Sequence, residues 1–372
     1  MTSTNPPDPQ YTILNPEGKP YGLSDALRAW MGGDRIQASL KVDRHPPWPF
    51  EAILHGSPFS FRPVLESAAR RNLANLLGSR SDHDRLPAEV HVPFRTTRQR
   101  LVRNQLDGGR FWQVDRLLTN PFHFGTARTE PLLPAKKTLR ADPFSVRVDG
   151  VDWILFEEQK HADRGRLRAA RRSGSNWDVI EEEILHLPHH LSWPNVFEFE
   201  GRLFLMPETG EAGEVALWAC ERFPDRWTKV RTLLSGRPFH DPCLLHDEGR
   251  WWLFVSAGGT HPGDHSAELC LFHAKSLFQD VFEPHRMNPL SVSVAGSRPA
   301  GQVFRHQGSL IRPAQDCRAG YGTGLLIRRI ERLTVEDFAE SALGRISPPA
   351  GTYGIHTLNR LPDGTWIVDV LR

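Results

Sequence analysis

Ala141-Asp142-Pro143-Phe144 opens a segment that runs through Val148-Asp149-Gly150 into Trp153-Ile154-Leu155-Phe156. The same order returns at Ser192-Trp193-Pro194-Asn195, followed by Glu200-Gly201 and Leu203-Phe204-Leu205-Met206. It returns again at His240-Asp241-Pro242-Cys243, followed by Glu248-Gly249 and Trp251-Trp252-Leu253-Phe254. A looser copy starts at Ser297-Arg298-Pro299-Ala300, turns at Gly308 and continues through Ser309-Leu310-Ile311-Arg312. A last hairpin runs from Gly354-Ile355-His356-Thr357-Leu358 through Pro362-Asp363-Gly364 to Thr365-Trp366-Ile367-Val368. Each copy reads as strand, tight turn, strand, because an acidic residue followed by Gly suits a two-residue hairpin turn and the flanks are β-branched or aromatic. A repeat of about 50 residues marks stacked supersecondary units. Five inner hairpins predict an all-β fold, a five-bladed β-propeller, over residues 136–372. A strand near Trp112 is expected to complete the last blade.

Residues 1–135 lack the repeat and are expected to form a mixed, partly helical N-terminal extension. Leu23 to Met31 reads as a short helix capped by Ser24, and Arg62 to Leu77 as a longer one with Val64, Leu65, Ala68, Leu73 and Leu76 on one face. Arg44 to Phe50 (RHPPWPF) reads as a proline-broken loop. The basic run from Arg95 to Arg103 is either a solvated helix face or a contact for an anion.

A hairpin brings the end of its second strand back beside the start of its first. Asp142 is therefore expected near Glu157 and Glu158, Trp193 near Glu208, and Asp241 near Ser256. In a propeller the inner strands line the central channel, so Asp142, Glu158, Glu208 and Asp241 would gather at one mouth. Crowded carboxyls cannot all ionise easily; their pKa values separate, and one can serve as acid while another serves as base. The competing explanation is that each Asp-Pro merely starts a strand, its side chain bonded to the backbone. Arg298 occupies the place of Asp142 and Asp241 in its own blade, where it would either clamp an anionic group or form a structural ion pair. His190, His356, Gln315, Asp316 and Tyr321 fall at the same end of their blades and join Trp193 and Arg298 as candidate substrate contacts.

The histidines include no HExxH or other close metal spacing, so no metal and no cofactor is expected. No GxSxG, Walker A or GxGxxG motif occurs. A net charge of +2 gives no case for nucleic acid. The four cysteines form no CxxC pair and read as unpaired thiols of a reducing compartment. No apolar run approaches the ~18–20 residues of a membrane span, and the polar, Pro-rich start lacks a secretory pattern, so a cytoplasmic location is expected.

The ordered motifs Ala141-Asp142-Pro143-Phe144, His190-Leu191-Ser192-Trp193-Pro194, Met206-Pro207-Glu208-Thr209, Asp241-Pro242, Arg298-Pro299-Ala300-Gly301, Gln315-Asp316, Tyr321-Gly322 and Gly354-Ile355-His356-Thr357 together resemble the N-terminal propeller domain of plant glucosamine inositolphosphorylceramide transferases and its stand-alone bacterial forms. The resemblance covers about residues 140–372. It implies a shape related to arabinanase- and fructosidase-type glycosidases, in which a blade-start Asp is base or nucleophile, a second Asp tunes pKa and a Glu is the general acid. Asp142 matches the first by motif and Asp241 is a second Asp-Pro blade start, whereas the second blade starts with Trp193-Pro194-Asn195 and has no acid. The acid would then come from Glu208 or Glu158. The expected substrate is an intracellular glycan or glycoconjugate, hydrolysed or transferred; the alternative is a non-catalytic glycan- or glycolipid-binding propeller that serves a partner glycosyltransferase.

Overall fold

The computed structural model describes residues 11–14, 19–20, 35–42, 48–53, 110–135, 137–160, 163–257, 268–318 and 321–372. Two compact units divide at Thr97 and Arg98. In the first, Tyr11–Leu14, Arg35–Val42 and Trp48–Ile53 form a three-stranded antiparallel sheet. Trp48-Pro49-Phe50, expected in a loop, lies in the edge strand of that sheet. An edge strand has one hydrogen-bonded partner, so a proline without an N–H is tolerated there. The two expected helices and the basic run lie outside the described residues.

The second unit carries five antiparallel blades, named here by chain order. Blade 1 contains Thr138–Val148, Val151–Lys160, Arg166–Ser173 and Asn176–Val179. Blade 2 contains Ser192–Phe199, Arg202–Glu208, Glu214–Arg222 and Arg226–Ser235. Blade 3 is built on Phe239–Asp247, Arg250–Ala257 and Glu268–Ala274, and blade 4 on Ala295–Pro299, Ser309–Asp316, Leu325–Leu333 and Phe338–Ser347. Blade 5 joins both ends of the unit: Gly354–Arg360 and Trp366–Leu371 pair onward to Trp112–Leu117 and Thr129–Leu133. The strand at Trp112 thus completes the last blade, in register from Trp366 opposite Leu117 to Leu371 opposite Trp112. Residues 112–133, placed by sequence in the extension, belong to this unit because their backbone groups are paired inside the sheets of blades 4 and 5.

The acidic-Gly turns fold as their sequence dictates. Asp149-Gly150, Glu200-Gly201 and Glu248-Gly249 all have positive φ at both residues, as does Gln307-Gly308 in blade 4. That is the geometry of type I′ turns, whose twist matches the flanking strands. Phe144, Leu155, Trp193, Leu205, Trp252 and Phe254 are buried in one continuous core shared by successive blades. Blade 4 departs from the repeat: its inner strand breaks after Pro299 and resumes at Phe304–His306. Gly301 lies in the break, where a Cβ would sit 2.0 Å from the Leu358 carbonyl oxygen, so only glycine lets blades 4 and 5 approach this closely.

Candidate functional site at the channel mouth

Each Pro of the repeat sits on an innermost strand, which has a single hydrogen-bonded partner and can spare the missing N–H. The residue before it is bulged out of the ladder. Register shifts fall between Ala141 and Phe144, Ser192 and Asn195, and His240 and Cys243. Asp142, Trp193 and Asp241 take φ values of 51°, 53° and 50°. Left-handed backbone is unusual for any residue but glycine and persists only where surroundings enforce it. Two of these bulges are enforced by carboxylates. The Asp142 N–H donates to Asp369 Oδ2 at 2.9 Å, and the Asp241 N–H to Glu208 Oε2 at 3.0 Å. The bulges also shift the expected pairings by one residue: Ala141 lies opposite Glu157, Ser192 opposite Glu208 and His240 opposite Ser256.

Two groups of charged side chains result. Between blades 5 and 1, the imidazole of His356 lies between carboxylates, with Nε2 3.2 Å from Asp142 Oδ1 and Nδ1 2.8 Å from Asp369 Oδ1. The Thr357 hydroxyl donates to Asp142 Oδ1 at 3.1 Å, and the Thr357 N–H to Asp369 Oδ1 at 2.9 Å. Burial opposes a charge on His356, but Asp369 and Asp142 outweigh it and raise the imidazole to about 10. Glu157 faces the same group. Burial, reinforced by the negative charges of Asp142 and Glu208, lifts its carboxyl well above the ordinary range.

Between blades 2, 3 and 4, Arg298 grips Asp241 through two nitrogens, Nε to Oδ2 at 2.5 Å and Nη2 to Oδ1 at 3.1 Å. Gln315 Nε2 adds a third bond to Asp241 Oδ2 at 3.1 Å. Burial pushes the Asp241 carboxyl up, and Arg298 opposes that rise. Burial also opposes ionisation of Glu208, yet His240, 2.8 Å away through Nδ1, and Arg298 outweigh it and hold its carboxyl well below the usual range. Tyr321 links the groups: its ring lies 5.0 Å from the Arg298 guanidinium carbon and 5.2 Å from the His356 ring.

Of the residues singled out in the sequence, Asp142, Glu208, Asp241, Arg298, Gln315, Tyr321 and His356 thus meet in these two linked groups. Glu158 and Asp316 do not. Successive residues of a strand face opposite ways, so Glu157 takes the channel side while Glu158 pairs with Arg140 and Arg168. Gln315 and Asp316 divide in the same way, Asp316 being held by Arg318 and Arg345. Trp193 contacts no open site. It is fully buried, its indole N–H donates to the Pro242 carbonyl at 2.9 Å, and its ring packs edge-on to Phe144. His190 is one-third exposed and lies 3.3 Å from Glu157 Oε1. Sequence reasoning passed over Glu157 as the inward carboxyl and missed Asp369 altogether. Strand alternation identifies the first, and the second-strand-end rule applied to blade 5 identifies the second.

Asp142, His356 and Asp369 also present donor atoms within 4.8 Å of one another. An imidazolium has no lone pair to offer, so a metal ion would have to displace the His356 protons. A separate groove of about 410 Å³, lined by Phe122, His306, Arg305, Arg360 and Trp366 among others, lies at the hairpin-turn end of blades 4 and 5, away from the mouth.

The profile of the family described as "Glucosamine inositolphosphorylceramide transferase 1, N-terminal" matches residues 118–347. Curated relatives of that name share 35% identity over 206 residues in Oryza sativa subsp. japonica, covering 54% of this chain and 27% of the relative. The Arabidopsis thaliana relative shares 32% over 229 residues, covering 60% of this chain and 29% of the relative. The chain thus spans less than a third of the length of these relatives. Among solved structures, Zg3597, a family 117 glycoside hydrolase from Zobellia galactanivorans, aligns with a TM-score of 0.45 at 14% identity over 71% of this chain and 90% of its own. An exo-β-1,3-galactanase from Clostridium thermocellum aligns with a TM-score of 0.46 at 12% identity, over 63% of this chain and 59% of its own. The chain belongs to the family of glucosamine inositolphosphorylceramide transferase N-terminal domains.

Proposed function

We propose that this member of a family named for a glucosamine-handling transferase is a carbohydrate-active propeller that breaks or transfers a glycosidic bond at the channel mouth. One observation carries the reading: Glu157 and Asp142 share the mouth in different electrostatic settings. Glu157 is pushed toward its protonated form by burial and neighbouring carboxylates, while Asp142 is flanked by a cationic imidazole and a hydroxyl donor. A carboxyl held toward its protonated form beside a second one that faces a cation and a hydroxyl donor is the arrangement that suits proton donation to a leaving oxygen. Asp142 then acts as base or nucleophile and Glu157 as general acid. Glu208, first expected to be the acid, is held ionised by His240 and Arg298 and is better suited, with Asp241, to orienting the mouth. Arg298, Gln315, Tyr321 and His356 line the approach. The proposed substrate is an intracellular glycan or glycolipid, in keeping with four unpaired cysteines. No helix among the described residues is long and apolar enough to cross a membrane.

A second reading keeps the sugar and drops the chemistry. Glu208, Asp241 and Asp369 are each engaged by neighbouring blades, as suits a binding module that presents a glycan or glycolipid to a partner glycosyltransferase. Turnover of a panel of aryl glycosides and nucleotide sugars separates the two. Asp142→Asn and Glu157→Gln are each expected to lower turnover by roughly 10²–10⁴-fold with the fold intact. Sugar binding without turnover in the wild type would replace the first reading by the second.

A further inference from the structure

Glu157 is nearly sealed from solvent, and one more exposed group touches it. His190 Nε2 lies 3.3 Å from Glu157 Oε1, and the side chains are 32% and 9% exposed. The other ring nitrogen is committed, since the Gly165 N–H donates to His190 Nδ1 at 2.9 Å. A backbone N–H can only donate, so Nδ1 carries no proton and the neutral ring bears its hydrogen on Nε2, the nitrogen that lies 3.3 Å from Glu157 Oε1. The contact is also tightly built. A Cβ on Gly165 would lie 2.3 Å from Glu157 Oε1, 2.6 Å from His190 Cε1 and 2.7 Å from the Leu191 carbonyl oxygen.

We propose that His190, fixed by Gly165, is a positioning residue that donates a hydrogen bond to Oε1 of Glu157 and thereby places the acidic proton on Oε2. This rests on the reading of Glu157 as general acid and extends it. An Oε1 that accepts from His190 is the carbonyl-like oxygen of the protonated carboxyl, and the hydroxyl is left on the other side. The same bond favours the ionised form once the proton has been given away, which eases the transfer. The charged groups around Glu157 are Asp142, Glu208, His356 and Asp369. Around His190, Glu211 accepts its backbone N–H and Arg164 reaches the Pro188 carbonyl.

The test is an infrared pH titration of the full chain, following the C=O stretch of a protonated carboxyl and assigning it by its loss in Glu157→Gln. In His190→Phe the loss of the donor should move the Glu157 titration upward by about one pH unit, a tenfold tighter hold on the proton. Gly165→Ala, which displaces both partners, should move it in the same direction, and His190→Gln, which restores an N–H donor, should bring it back toward wild type. An unchanged titration in a folded His190→Phe protein overturns the proposal. The infrared readout needs no substrate, so a failure of turnover in every assay would remove the general-acid reading while leaving the His190 bond to be judged on the titration alone.

Discussion

Asp142 and Asp241 occupy the same repeat position, precede the same proline and share the same left-handed backbone, yet they have different chemical surroundings. Asp241 meets a guanidinium through both of its carboxylate oxygens. Asp142 meets an imidazole and a hydroxyl. The difference comes from the neighbouring elements: blade 4 supplies Arg298 to the first, and blade 5 supplies His356 and Thr357 to the second. The Arg298 guanidinium stays charged over the whole range in which carboxyls and imidazoles titrate, whereas an imidazole can release its proton. Equivalent positions in a repeat therefore share geometry, and the neighbouring blade decides charge.

The largest effect is expected from removing the permanent cation. Arg298→Met leaves Asp241 buried without its partner and should cost about 3–5 kcal/mol in urea unfolding. Arg298→Met combined with Asp241→Asn should recover much of that loss. A cost below ~1 kcal/mol for the single variant would show that the pair does not hold blades 3 and 4 together.

The imidazole group is tested by pH. The folded-state value of His356 is raised from 6.5 to about 10. Below pH 6.5 the ring is protonated folded and unfolded, and its stabilisation is fully present. As pH rises, the unfolded chain loses the proton first, so stability falls until the folded value is passed. Between pH 6.5 and 9 the decline should be on the order of 3 kcal/mol. The wild type minus His356→Gln difference in unfolding free energy isolates it from Glu157. A difference that stays flat with pH would mean that the imidazole is neutral.

The smallest effect sharpens the position between the two groups. Trp193→Phe removes one N–H bond to the Pro242 carbonyl, which the Asn195 amide also reaches at 3.0 Å. A loss of about 1 kcal/mol with unaltered sugar binding is expected. Altered sugar affinity would return Trp193 to the binding surface.

The hairpins were readable because their causes are local: Asp149-Gly150 and its counterparts specify the turns, and the aromatic runs specify the strands. The carboxylates of blades 1 to 3 were readable from the repeat plus hairpin geometry, to within one residue, and Asp369 of blade 5 was not. The bulge made that residue matter. A shift of one position in a strand exchanges faces, and so Glu157 replaced Glu158 at the mouth while Asp316 turned away to its arginines. Trp193 read as a candidate substrate contact because its position matched an Asp, but its size and apolarity drew it into the core.

The sequence by itself determined the five hairpins, their tight turns, the proline-marked inner strands and the gathering of acids at one end, because each follows from short-range backbone preference and strand periodicity. Only the tertiary structure decided which carboxyl burial raises, which one is gripped by arginine, and that Asp369 from the closing blade joins the mouth. Those properties depend on burial and on charges contributed by residues as far apart in the chain as Asp142 and Asp369, and no local pattern encodes the distance between them.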